Sequence, residues 1–148
     1  MLEVLQEPVR IRIASTPAQL PIVRAVVERL TRLVGFDQEA SDRITLAVDE
    51  ALTNVIRHAY HGRPDGPIEI TFRRAADARG AAALCIELRD WGTQVEPDQI
   101  RPRRLEELRP GGLGVHIITS VMDEVQYAPV PSGGTRLTMT KTLSRELL

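Results

Sequence analysis

The chain has 148 residues, 43% of them apolar and 26% charged, with a formal net charge of -1. That size supports one compact domain with a real core, and the balanced charge excludes the global basic field that draws a protein onto nucleic acid. Lys141 is the only lysine among arginines, so a single arginine says little about phosphate recognition. Cys85 stands alone in "AAALCIEL", which excludes an intramolecular disulfide and fits a reducing compartment. No segment approaches the roughly 18 apolar residues of a membrane span, and the N-terminus has no leader pattern, so a cytoplasmic protein with no membrane contact is expected.

"VRIRIAS" alternates apolar and polar residues at period two and predicts a half-buried strand. From Pro17 to Val34 the residues Leu20, Val23, Val26, Val27, Leu30 and Val34 recur at helical spacing, with Gly35 as the stop. Asp37 offers an N-cap for a second helix running to about Tyr60, where "HGRPDGP" ends it. "IEITFRR" and "AALCIELRD" read as hairpin-connected strands, and residues 91 to 111, with three prolines, read as a long loop with one helical turn at most. "GLGVHIITSVMD" reads as a helix opening on glycines, and "EVQYAPV" and "TRLTMTKTL" as two strands joined by "PSGG". Helices segregated from hairpin-connected strands predict an α+β chain: a two-layer sandwich whose sheet is mixed but mostly antiparallel and covered by helices on one face.

On the second helix Glu50, Asn54 and His58 recur at a spacing of four. At about 100° per residue this row drifts by only about 40° per step, and it lies about 90° from the apolar stripe of Ile44, Val48, Leu52 and Val55. A row at the border of the buried stripe can face a cleft. A carboxylate can orient and deprotonate a nucleophile, an amide oxygen suits Mg²⁺, and an imidazole can meet an anion. Taken alone, such a row is more often a solvated helix face.

Further on, "LRDWG" places Asp90 at a strand end, where its carboxylate can accept from an exocyclic amine, with Gly92 leaving room for a flat base. An ordinary turn explains the same residues. "PGGLGVHII" opens a helix with Gly111, Gly112 and Gly114, a backbone that can hold phosphate or simply a glycine-rich cap. Thr135 follows a glycine pair, where its hydroxyl can reach the base-binding carboxylate directly or through water. There is no GxxxxGK[ST], and the glycine run does not follow a strand, which disfavours P-loop and dinucleotide-binding folds.

Taken in order, these elements resemble the nucleotide-binding boxes of the Bergerat-fold superfamily of gyrase, chaperone, histidine kinase and mismatch-repair ATPases. "LAVDEALTNVIRHAY" is similar to its N box, "LRDWG" and "PGGLGVHIITSVMDEV" to its two glycine boxes, and "GGTRLTMT" to its closing strand. The N-box form and the phrase "GGLGVHIITSVMDEVQY" most resemble the anti-sigma-factor serine/threonine kinases of partner-switching systems. The resemblance implies a single histidine-kinase-like domain over residues 1–148 that uses ATP and Mg²⁺, with an ATP lid at about 93–110. Glu50 is then the catalytic base, Asn54 the Mg²⁺ ligand, and His58 lines the phosphates. Asp90 and Gly92 receive adenine, Gly112, Leu113 and Gly114 form the phosphate end, and Thr135 supports Asp90. Arg101, Arg103, Arg104 or Arg109 in the lid would meet the γ-phosphate. The implied partners are a sigma factor and an anti-sigma-factor antagonist, with a homodimer and no direct nucleic-acid contact. One departure stands out: the first glycine box is commonly D-x-G-x-G, and its fifth position here is Gln94. It raises the alternative of an ATP-gated binding module with weak or no phosphotransfer.

Overall fold

The computed structural model describes residues 2–94 and 112–143. The elements follow in order: a short 3₁₀ turn Leu2–Leu5, β1 Val9–Ala14, a second 3₁₀ turn Pro17–Gln19, α1 Leu20–Val34 and α2 Gln38–Asn54. A π turn, Val55–Ala59, extends α2, and then come β2 Pro67–Ala76, β3 Ala82–Asp90, α3 Gly112–Val121, β4 Glu124–Pro129 and β5 Thr135–Thr142.

The five strands form one sheet in the order β1-β2-β3-β5-β4. Every pairing among them is antiparallel, so the α+β class holds while the expected parallel pair does not form. The physical reason is the last hairpin. β3 and β4 run in the same direction, but the tight β4–β5 turn lets β5 fold back between them and pair with both. Each strand therefore has only opposed neighbours.

Ile68, Ile70 and Phe72 of β2 and Leu84, Ile86 and Leu88 of β3 point into the core and are buried, as period-two alternation requires. They meet Val23, Val27, Leu30 and Val34 of α1 and Ile44, Val48 and Leu52 of α2. α2 lies centrally, packed against α1 on one side and α3 on the other. Between the first two helices the buried Thr31 and Ser41 hydroxyls bond at 2.7 Å, and Thr31 Oγ1 also reaches the Val27 carbonyl. This pairing satisfies polar groups that burial would otherwise leave unmatched.

The helix ends follow local chemistry. Asp37 accepts from the Ala40 N–H at 2.8 Å as an N-cap, and Gly35 ends α1 at φ +123°, a conformation L side chains rarely adopt. α1 begins three residues after Pro17, because Pro17 to Gln19 wind as a 3₁₀ turn ahead of Pro21 in its first turn.

Candidate active site

α2 does not run as a regular α-helix to Tyr60. At Val55–Ala59 it widens into a π turn, with the Tyr60 N–H donating to the Val55 carbonyl at 3.1 Å. One extra residue in the turn advances the buried stripe from Val55, which is half-buried, to Ile56, which is 7% exposed. The straight row of Glu50, Asn54 and His58 is broken at the same place. Glu50 and Asn54 share a regular face, and His58 sits beyond the irregularity. Single π turns of this kind are common at functional sites.

The acidic pair Asp49 and Glu50 divides its work. Asp49 holds Arg24 of α1 at 2.6 Å, so it fastens one helix to another. Glu50 is half-buried and makes neither a hydrogen bond nor an ion pair among the described residues. It is the free carboxylate of the two.

At the last residue of α2, both amide atoms of Asn54 are buried and have no hydrogen-bond partner among the described residues. A buried orphan of this kind costs about 1–3 kcal/mol per group, which proteins seldom tolerate without reason. The Thr135 hydroxyl, at the start of β5, is in the same condition. An amide oxygen without a partner fits Mg²⁺, which takes one or two protein ligands and completes its shell with water and phosphate oxygens. Among the described residues no three His, Cys, Asp or Glu side chains cluster to hold a metal by themselves, and Mg²⁺ of that type needs no such cluster.

Asp90 ends β3 and is 4% exposed. Its Oδ1 accepts from the Gly92 N–H at 3.0 Å, and the Thr135 N–H is a second donor. Burial pushes its pKa above the ordinary carboxyl range, opposed by those two donors and by the Arg89 guanidinium. Thr135 supports Asp90 through its backbone, then, while its hydroxyl is left for something else.

Gly92 has a different steric reason from the one the sequence suggests. A Cβ there would lie 2.3 Å from the Ala59 carbonyl oxygen, so the glycine allows the strand end to press on the π turn rather than only on a ligand. The Thr93 N–H donates to the same Ala59 carbonyl at 2.8 Å. Through this contact the N-box end and the first glycine box become one unit. His58 is exposed on that turn. Partial burial lowers its pKa from the ordinary value, and Arg57 and His61 add repulsion.

Three residues that shape the site were not assigned from sequence. Tyr60 accepts from the Trp91 N–H at 2.8 Å and donates to the Pro67 carbonyl, tying α2 to the ends of β2 and β3. Gly134 has φ +75°, and a Cβ there would fall 2.0 Å from the Asp90 carbonyl oxygen. Gln94, the departure from the usual glycine box, donates from Nε2 to the Val130 carbonyl at 2.8 Å and so fastens the chain to the β4–β5 turn. The signal for Gly134 was in the glycine pair itself. Nothing in spacing marks the Tyr60 or Gln94 bonds.

Most of the expected lid, including Arg101, Arg103, Arg104 and Arg109, lies outside the described residues, as does Gly111. Of Gly112, Leu113 and Gly114 only the backbone is described, as the first turn of α3.

A family model described as the histidine kinase-like ATPase domain matches residues 13–141. The chain belongs to that family. It is 26% identical to a serine-protein kinase RsbW of Listeria innocua over 150 residues, covering 96% of this chain and 91% of the relative. A serine-protein kinase RsbW of Bacillus pumilus is 27% identical, covering 93% and 87%. Among solved structures, the crystal structure of the RsbU and RsbW domains of Rv1364c from Mycobacterium tuberculosis gives a TM-score of 0.64 at 21% identity. That likeness covers 95% of this chain and 34% of the other, and speaks to fold alone. The resemblance to the anti-sigma-factor serine/threonine kinases drawn from the four boxes is thereby borne out.

Proposed function

We propose that this chain is an ATP- and Mg²⁺-dependent serine/threonine protein kinase that phosphorylates an anti-sigma-factor antagonist and, in its other state, sequesters a sigma factor. The observation that carries the reading is the Asn54 amide, buried and unpartnered on the same helix face as the uncommitted Glu50. Similarity to serine-protein kinases along most of the chain supports it.

In this reading Asp90 accepts from the adenine amine with the carboxylate oxygen that its backbone donors leave open, and the Thr135 hydroxyl joins it directly or through water. Gly92 brings the backbone close enough for the base to pack. The first turn of α3, at Gly112, Leu113 and Gly114, offers N–H groups and a positive dipole end to the phosphates. His58 lines that end as a hydrogen-bond donor. Asn54 would hold Mg²⁺, which supplies charge neutralisation across the phosphates. Glu50 orients the acceptor serine or threonine hydroxyl and takes its proton as the oxygen attacks the γ-phosphorus, with ADP as leaving group. Phosphoryl transfer asks mainly for positioning and charge stabilisation, so this small set suffices.

The same reading places the protein in the cytoplasm as a single domain working as a homodimer, with residues 93–110 as the ATP lid. Support for a dimer comes from an apolar groove along α1, about 640 Å³, lined by Val4, Ile22, Val26 and Leu33 among others. It lies on α1, which carries none of the candidate site residues.

The test is incubation with γ-labelled ATP, Mg²⁺ and candidate antagonist proteins. The native chain should label a serine or threonine of one antagonist, and Glu50→Gln should not. If ATP binds but no label reaches any antagonist, the ATP-gated binding module replaces the kinase. The Gln94 bond to Val130 is the feature that favours that second reading, since it gives the fifth position of the first glycine box a fixed anchor where a glycine would leave the backbone free.

A further inference from the structure

The face of the sheet turned away from the helices carries the other notable cluster. One cross-strand row sets Arg12 of β1, Glu69 of β2, Arg89 of β3 and Arg136 of β5 side by side. Two of the three guanidiniums are matched: Arg12 by Glu69 at 3.3 Å and Arg136 by Glu87 at 2.8 Å. Arg89 has no carboxylate partner among the described residues. It donates instead to the Asp90 carbonyl and, at 3.4 Å, to Ser132 Oγ.

Directly over this row lies Trp91, 41% exposed. Its ring has the Arg89 guanidinium carbon at 4.4 Å from the centroid and that of Arg12 at 5.9 Å. Cation–π contact steadies both partners, and the Trp91 backbone is fixed through Tyr60. An ordered tryptophan flanked by arginines has the composition of an interface hot spot.

We infer that Trp91, Arg89 and Arg12 form a docking patch for an acidic segment of a partner protein, with one partner carboxylate paired to Arg89 and apolar side chains laid on the indole. Charge decides the class of occupant. Glu69 and Glu87 flank Arg89 across the strand and along it, so a continuous phosphate backbone would face two carboxylates and find only one ring to stack on. A second copy would bring the same positive row against itself. A short acidic segment meets the unmatched guanidinium without either cost. The surface contains none of Glu50, Asn54 or His58, although Arg89 and Trp91 adjoin Asp90 in the chain, and its existence does not depend on kinase activity.

Trp91 is the only tryptophan, so its emission reports occupancy in the full-length chain. The probe is a capped peptide, EELEELEE, titrated beside its glutamine counterpart QQLQQLQQ and a poly-dT oligonucleotide, with a dilution series of the protein alone. The expected result is a saturable change in Trp91 emission with the acidic peptide only, weakened at least about fivefold by Arg89→Gln and by raised salt. Arg79→Gln, on the β2–β3 turn, should bind as the native chain does, and circular dichroism should show both variants folded. The proposal is overturned by any of four results: no saturable response, equal response to the glutamine peptide, binding indifferent to a folded Arg89→Gln, or preferential response to the oligonucleotide or to protein concentration alone.

Discussion

Asp90 shows how a single residue can be kept at a cost to stability. Its carboxyl is buried, and its pKa is raised by that burial above the ordinary 3.8. A raised folded-state pKa means the contribution to stability is full below the unfolded value and is lost as pH rises through the folded one. At neutral pH the buried carboxylate is therefore a liability. Asp90→Asn removes the charge and keeps one oxygen to accept from the backbone N–H groups of Gly92 and Thr135, but turns its other acceptor into a donor where the proposed site would meet the adenine amine. Thermal unfolding of the nucleotide-free variant at pH 7 should give a Tm a few degrees above native, with the difference vanishing as pH falls below the ordinary carboxyl range. ATP affinity should fall at least about tenfold, the cost of mispairing one buried hydrogen-bonding group. A lower Tm at pH 7 would mean the carboxylate stabilises the fold, contrary to its burial.

Among the elements, the π turn and the two glycines that pack around the end of β3 matter most. Because α2 widens at Val55–Ala59, the Ala59 carbonyl is available to Thr93, and Gly92 can press against it. Gly134 does the same from the other side, against the Asp90 carbonyl. Gly134→Ala would place a Cβ within 2.0 Å of that oxygen at φ +75°, so strain and overpacking should together cost about 2–4 kcal/mol in urea unfolding. Gly133→Ala, also at positive φ but with open space around its Cβ, should cost only the backbone term, about 1–2 kcal/mol. Equal losses would show that the close approach to Asp90 carries no weight.

For the molecule as a whole, the sequence was informative wherever periodicity and end chemistry act locally. β3 was legible to its last residue because "AALCIELRD" alternates and ends at a turn, and α1 and α2 because Gly35 and Asp37 mark their boundary. Asp90 and Asn54 were legible as chemistry on the right elements. Several features were not, because they depend on pairs far apart in the chain. The insertion of β5 between β3 and β4 is set by a hairpin folding back, which no periodicity records. The π turn leaves no composition signal beyond a buried Ile56 where Val55 was expected. The Tyr60 and Gln94 anchors join residues 31 and 36 positions apart in the chain. In each case local propensity was satisfied equally by the arrangement that did not form.

Both amide atoms of Asn54 are buried without a hydrogen-bond partner among the described residues, a condition that a bound ligand would relieve. Asn54→Leu keeps the volume and removes both orphans, so the nucleotide-free variant should be as stable as the native chain or more so. The decisive measurement is calorimetric titration of ATP into native and Asn54→Leu protein, each with Mg²⁺ and with EDTA. The native chain should bind far more tightly with Mg²⁺, and the folded variant should lose that dependence, with affinity in Mg²⁺ reduced at least about tenfold. Unchanged affinity and unchanged Mg²⁺ dependence in Asn54→Leu would contradict the assignment of this site.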